Sequence, residues 1–325
     1  MADITLIEGV TMALRRALSD DHNVVVFGED VGTNGGVFRA TDGLKIDFSE
    51  QVLDTPLAEN MIAGLAVGMS AMGLKPVAEI QFMGFSYATF DQICSHASRL
   101  RNRTRGRLSC PMVLRAPYGG GIHAPEHHSE SFEAMFAHIP GLRVVIPSSP
   151  KRAYGLLLSA IHNPDPVIFL EPKRVYRKVK QTVLDDGEGL PLDKCFVERQ
   201  GNAVTLISWG ALMHETREAA AQCVQQGIDV ELIDVATVKP LDINTILSSV
   251  QKTGRCVIAQ ESVKTCSIAS EIAARCAEYA LMDLKAPIQF VSGFDTVMPL
   301  YRLENTYMPQ TKQIVQAVLQ TMEYA

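Results

Sequence analysis

The chain has 325 residues, 47% of them hydrophobic and 20% charged, a size and balance that suit two soluble domains better than one. A net charge of −6 gives no long-range pull toward nucleic acid or an anionic membrane surface, so both are set aside as partners. Seven cysteines with no CxxC pair argue against zinc ribbons and disulfide frameworks, and a reducing cytoplasm is the expected compartment.

The first stretch, MADITLIEGVTMALRRALSDD, spaces its apolar residues as on one helix face and lacks the basic leader and apolar run of a secretory signal. β-Branched runs then alternate with helical patterns. NVVVFGED (23–30), PVAEIQF (76–82), PMVLRAP (111–117), RVVIPSS (143–149) and PVIFLEP (166–172) read as buried strands, with helices near 56–72, 86–103 and 150–162. The longest apolar tract, from Met61, is too short and too glycine-rich to span a membrane. From Lys173 to about Asn202 a polar segment breaks the pattern and reads as a linker carrying the first strand of the next unit. AVTLISWG, DVELIDVATVKP, RCVIAQES and PIQFVSG then alternate with helices at 212–226, 242–251 and 267–280, a second and smaller α/β domain. Sites in such mainly parallel sheets lie beyond the carboxyl ends of the strands.

Four stretches carry candidate chemistry. In DTPLAENMIAGLAVG, Thr55 is expected to cap a helix with Pro56 at its first position, placing Glu59 in the opening turn. Three, four and seven residues on stand Ile62, Ala63 and Ala66, an apolar stripe on which a carboxylate needs a partner, structural or catalytic. Phe82, Phe85, Tyr87 and Phe90 hold no single period, so some fall in a strand-to-helix loop where a ring stacks on a flat ligand or simply packs. RLRNRTRGR puts five arginines into nine residues, a solvated helix end or a contact for an acidic partner. YGGGIHAPEHHSE contains neither GxGxxG nor HExxH. It reads as a flexible loop at a strand's carboxyl end that presents a histidine as acid or base, the alternative being a solvated cluster.

Taken together, GEDVGTNGGVFRAT, DTPLAENMIAGLAVG, AEIQFMGFSYATFDQI, RAPYGGGIHAPEHHSES, PGLRVVIPSSP, DPVIFLEPKRVYR and GFDTVMPLYRLENTYMP resemble, in order and over nearly the whole chain, the beta subunit of the thiamine-diphosphate-dependent first component of 2-oxo acid dehydrogenase complexes. The resemblance implies a transketolase-like α/β fold, with a pyrimidine-binding thiamine diphosphate domain over 1–180, a linker over 181–201 and a transketolase C-terminal domain over 202–325. It implies an assembly of two alpha and two beta chains, with the alpha chain holding the diphosphate and magnesium through a GDG-type motif. No Gly-Asp pair occurs in this sequence, in keeping with that division.

By the same resemblance, Glu59 is the acid that hydrogen-bonds the aminopyrimidine ring nitrogen and Phe85 the ring that stacks on it, with Leu57, Gln81 and Glu29 alongside. His128 falls on the loop histidine that handles the 2-oxo acid and acyl transfer to the lipoyl group, and His123 on a second histidine of part of the family. Met112, Ala160, Asn163 and Asp165 fall on a structural potassium site. Glu130 stands two residues after His128, where its charge would raise that histidine or face solvent. The expected reaction is oxidative decarboxylation of pyruvate with acylation of a lipoyl-bearing acyltransferase core. The alternatives are a branched-chain 2-oxo acid enzyme, a stand-alone transketolase relative, a non-catalytic scaffold subunit and, more distantly, a zinc hydrolase.

Overall fold

Val24–Gly28, Val113–Tyr118 and Val167–Pro172 are buried at every position, so each needs cover on both faces and belongs in the middle of a sheet. The computed structural model, which describes residues 2–324, places them in a seven-stranded sheet. Its order is Thr237–Lys239, Arg143–Val145, Val167–Pro172, Val113–Tyr118, Lys75–Glu79, Val24–Gly28, Val52–Asp54. All neighbours are parallel except the edge strand Thr237–Lys239. The register pairs Gly28 with Glu79 and Tyr118 with Pro172, so these strands discharge their loops at one edge.

A second sheet runs Gln289–Gly293, Cys256–Val263, Val204–Ser208, Val230–Asp234, Phe196–Arg199, parallel but for the last strand. Phe196–Arg199 comes from the polar segment after Lys173, whose other strand, Lys180–Val183, pairs instead with Ala2–Thr5. Thr237–Lys239 carries the C-terminal half back onto the first sheet. Trp209, Ile233 and Val238 pack in one continuous cluster with Leu114, Ile146 and Ile168, so the two halves share a core. An apolar junction of this kind holds them as one body.

Pro150–His162 is a helix with the expected bounds, because Ser149 accepts from the Arg152 amide and Pro150 takes the first turn. The helix expected from Pro56 begins only at Glu59. Thr55 precedes a proline, which disfavours the helical region, and its hydroxyl is buried without a partner, so it caps nothing. The helical stretch expected at 86–103 winds without a break from Met83 to Arg103 but changes type along the way, as 3₁₀ turns over Met83–Thr89 and Ala97–Arg99, a π turn over Gln92–His96 and an α turn over Leu100–Arg103.

Beneath the loop edge lies a buried ion cluster. Arg115 donates from Nε and Nη2 to the two oxygens of Glu171, at 2.6 and 3.0 Å, and also pairs with Glu79. Tyr176 donates to Glu171 Oε2 at 2.6 Å. Charge-assisted contacts of this type tie three adjacent strands where the site is built.

Candidate active site

Glu29 leaves the strand Val24–Gly28, and Glu59 opens the helix Glu59–Ala71. Both are half-buried. The Glu29 carboxyl is held above its usual range, first by burial and then by the negative charges of Asp30 and Glu59. Ile62, Ala63 and Ala66 behind Glu59 are fully buried, which leaves its carboxylate at the rim of an apolar helix. The Leu57 side chain is 70% exposed and stands out from the same rim.

Helix Glu59–Ala71 packs against the turn Met83–Thr89, which follows Gln81 and carries Phe85. Gln81 and Phe85 are half-buried. Phe82 and Phe85 meet at 5.5 Å, and both present edges to His128, with ring centroids 4.5 and 5.1 Å away. Gly84 lets the His127 carbonyl approach so closely that a Cβ has no room. The fold therefore brings the aromatic turn and His128 together. His128 Nδ1 is buried and has no hydrogen-bond partner within the chain, a polar atom left for something else to meet.

Glu130 does not serve His128. Its carboxyl lies with His127 and Tyr87 and is raised by burial against their opposing effect, while burial and Glu130 together push the Tyr87 hydroxyl up to about 12. His123 turns the other way, 61% exposed, with Nε2 3.4 Å from Glu304 Oε2 and its ring beside Tyr301. The first stem of the loop is tied to the C-terminal half, where Glu261 and Glu304 accept backbone amides of Gly120, Gly121 and His123. Neither acid stood out in the sequence, because each is a lone carboxylate in a motif whose local pattern says nothing of a loop 130 residues or more away. An acid beside apolar residues in LYRLEN was the available signal.

Met112, Ala160, Asn163 and Asp165 lie at the opposite end of the strands, apart from this site. The Met112 and Ala160 carbonyls accept from the Val167 and Asn163 amides. Asp165 meets Arg101 at 2.6 Å and Arg143 at 3.9 Å, and Asn163 Oδ1 accepts from Arg143. All five arginines of the RLRNRTRGR run are exposed, and Arg101 is tied there to an acid of this chain. No cluster of three or more His, Cys, Asp or Glu side chains among the described residues is placed to hold a metal ion, which leaves the zinc hydrolase alternative without support.

The geometry suits an aminopyrimidine. A carboxylate acceptor at an apolar rim, a half-exposed ring and an exposed leucine match a flat heterocycle with polar edges. Two carboxylates at one rim do not suit the diphosphate end of the same molecule.

Comparison with known proteins agrees. Residues 2–179 match the transketolase, pyrimidine binding domain, and residues 193–314 the transketolase, C-terminal domain. The chain is 45% identical to the pyruvate dehydrogenase E1 component subunit beta of Bacillus subtilis, over all of both chains. It is 48% identical to that of Acholeplasma laidlawii, over 97% of this chain and 96% of the relative. Among solved structures, a split gene transketolase described as an inactive beta4 tetramer superposes with a TM-score of 0.79 over 99% of both chains, and at 21% identity it speaks to the fold alone. The glutamate at the helix rim, the aromatic turn and the histidine loop are thus carried on a transketolase-like frame, and the chain belongs to the family of pyruvate dehydrogenase E1 component beta subunits.

Proposed function

We propose that this chain forms, with an alpha chain, the thiamine-diphosphate-dependent enzyme that decarboxylates pyruvate and passes the acyl group to the lipoyl group of an acyltransferase core. The observation that carries the reading is the half-built rim. Glu59, Glu29, Phe85 and Leu57 offer everything a pyrimidine ring needs and nothing that would hold a diphosphate with its magnesium. That half falls to the partner. The outer face of the helix that Glu59 opens supports this, since Met61, Leu65 and Met72 are exposed around Gly64 and Gly68 along an apolar groove of about 790 Å³. A chain seated there covers the face and closes the rim of the site with one contact.

When bound, thiamine diphosphate supplies the nucleophilic carbon that attacks the 2-oxo acid and takes up the electrons left by carbon dioxide. Glu59 would hold the pyrimidine nitrogen through its carboxyl, in a setting whose low dielectric strengthens such a bond once the rim is covered. Phe85 and Leu57 would pack on the ring, with Gln81 nearby in the sequence. Glu29, already raised by burial and by its acidic neighbours, resists a second full negative charge beside Glu59. His128 would act through its unpartnered Nδ1 as the acid that gives a proton to the lipoyl sulfur set free when the other sulfur takes the acyl group. Its two phenylalanine neighbours keep water from that nitrogen. A solvated histidine cluster would not leave such an atom buried.

Pyruvate is preferred to branched 2-oxo acids because the relatives named above are pyruvate enzymes. No helix among the described residues is long and apolar enough to cross a membrane, and the seven cysteines are free, in keeping with a cytoplasmic site of action. A potassium ion at Met112, Ala160, Asn163 and Asp165 has to compete with Arg101 and Arg143 for Asp165. Equal melting temperatures in potassium and in sodium would remove the ion from the reading. The reading as a whole is tested by 2-oxo acid-dependent dye reduction with the reconstituted alpha and beta chains. Pyruvate is expected to give the highest kcat/KM, and a preference for branched substrates overturns the assignment. A mixture that binds thiamine diphosphate but turns over no 2-oxo acid would instead mark a scaffold subunit.

A further inference from the structure

The loop that carries both site histidines is closed from outside its own domain. At its base the Gly119 amide donates to the Glu130 carbonyl at 2.9 Å. Just beyond, one oxygen of Glu261 accepts from the Gly120 amide at 2.6 Å and from the Ser131 hydroxyl at 3.1 Å, joining the two stems of the loop. Glu304 takes the next turn, with Oε1 accepting from the Gly121 amide at 2.8 Å and Oε2 from the His123 amide at 3.0 Å. Glu261 and Glu304 are 3% and 1% exposed, so these bonds are shielded from water.

The conformation held is one a free loop would not keep. Gly119 and Gly121 have φ of 88° and 82°, and His123, which has a side chain to pay for it, has φ of 60°. A non-glycine residue stays in the left-handed region only where its surroundings over-determine it, and here the Glu304 carboxylate receives its amide and approaches its imidazole. Below the two acids, Lys173 leaves the end of the strand Val167–Pro172 as a buried ammonium group with no hydrogen-bond partner. Burial lowers it to about 8, against the attraction of Glu261 and Glu304. Arg174 adds a second cation 3.9 Å from Glu261. Two buried carboxylates that accept amide protons are thereby given counter-charge without losing their acceptor oxygens to it.

We propose that Glu261 and Glu304, balanced by Lys173, are positioning residues for the histidine loop, through which the C-terminal domain sets His128 and His123 for acyl transfer. This rests on the function proposed above. Both acids act on the loop itself, through the amides of Gly120, Gly121 and His123, the Ser131 hydroxyl and the His123 ring.

The test uses the reconstituted alpha and beta assembly and two readouts. Hydrogen exchange across residues 118–131 reports the clamp without reference to activity. The rate of lipoyl acylation, set against the rate of 2-oxo acid-dependent dye reduction, reports its consequence. In Glu304→Ala the loop amides are expected to exchange about tenfold faster or more, the scale of losing charge-assisted bonds to two amides. Acylation kcat should fall about tenfold with KM for the 2-oxo acid nearly unchanged, as for an interaction that matters in the transition state. Glu304→Gln retains an acceptor oxygen, is the safer variant to fold, and is expected to regain most of both. Exchange and acylation within twofold of the parent in Glu304→Ala would overturn the proposal. Faster exchange with unchanged acylation overturns it as well, because the clamp would then be structural only. Should the parent assembly fail to turn over any 2-oxo acid, the functional reading falls, while the exchange data still decide whether the clamp exists.

Discussion

Two pairs of glutamates frame the site, and they differ in almost every physical respect. Glu29 and Glu59 stand half-buried at an outer rim, where the charge of Glu59 helps raise Glu29 and neither is in a salt bridge among the described residues. Glu261 and Glu304 are buried between the domains, each accepting amide protons, with Lys173 and Arg174 as counter-charges. The inner pair is tied into the fold of this chain, although Glu261 Oε2 accepts no hydrogen bond. The outer pair is left unfinished, and its open face adjoins an apolar helix surface that has nothing to cover it in this chain. The difference separates what one chain settles by folding from what it leaves for assembly.

The comparison is broken most severely at the outer pair. Glu59→Gln keeps the shape of the rim but removes the charge, and turnover in the reconstituted assembly is expected to fall about 10²- to 10³-fold with the assembly intact, the scale of a lost acid–base or electrostatic contact. Steady-state kinetics with light scattering checks both halves of that statement. His128→Ala comes next, with lipoyl acylation down about 100-fold and thiamine diphosphate binding little changed. Unchanged acylation would return the loop to a solvated histidine cluster.

At the inner side, Glu133 offers a smaller and pH-dependent effect. It accepts from Trp209 and Ser262, and burial pushes its carboxyl up to about 7 from an ordinary 4.5. The folded state therefore holds a proton that the unfolded state releases, and stability falls as pH rises between these values. Glu133→Gln should be more stable than the parent by about 2 kcal/mol at pH 8, with the gain vanishing near pH 4 to 5. Urea melts at the two pH values check it, and an equal effect at both would show that ionisation is not the cause. The smallest effect is expected for Leu65→Asp on the open helix face, where association with the alpha chain should weaken about tenfold while the fold is untouched. Equal association would place the partner elsewhere.

Much of the frame was legible because its causes are local. VVVFG and VIFLEP are buried on both faces, which the middle of a sheet provides. Ser149 and Pro150 announce a helix start that the fold keeps. Thr55 and Pro56 announce one that it does not, because the chain stays non-helical through Ala58 and the helix opens on Glu59 itself. Glycines and polar residues in YGGGIHAPEHHSE indicated a loop, but not its ties to the other domain. What holds it are carboxylates 130 residues and more away, and no periodicity reports a contact of that range. Resemblance singled out His128. The structure adds that its partner is a phenylalanine pair, and that Glu130 attends to His127 and Tyr87 instead.

The central claim, that the chain is one half of an enzyme, is tested most directly by pyruvate-dependent dye reduction with thiamine diphosphate and magnesium, measured for the chain alone and after addition of an alpha chain. No turnover by the chain alone and its appearance at equimolar mixing is the expected result. Turnover by the chain alone would contradict it.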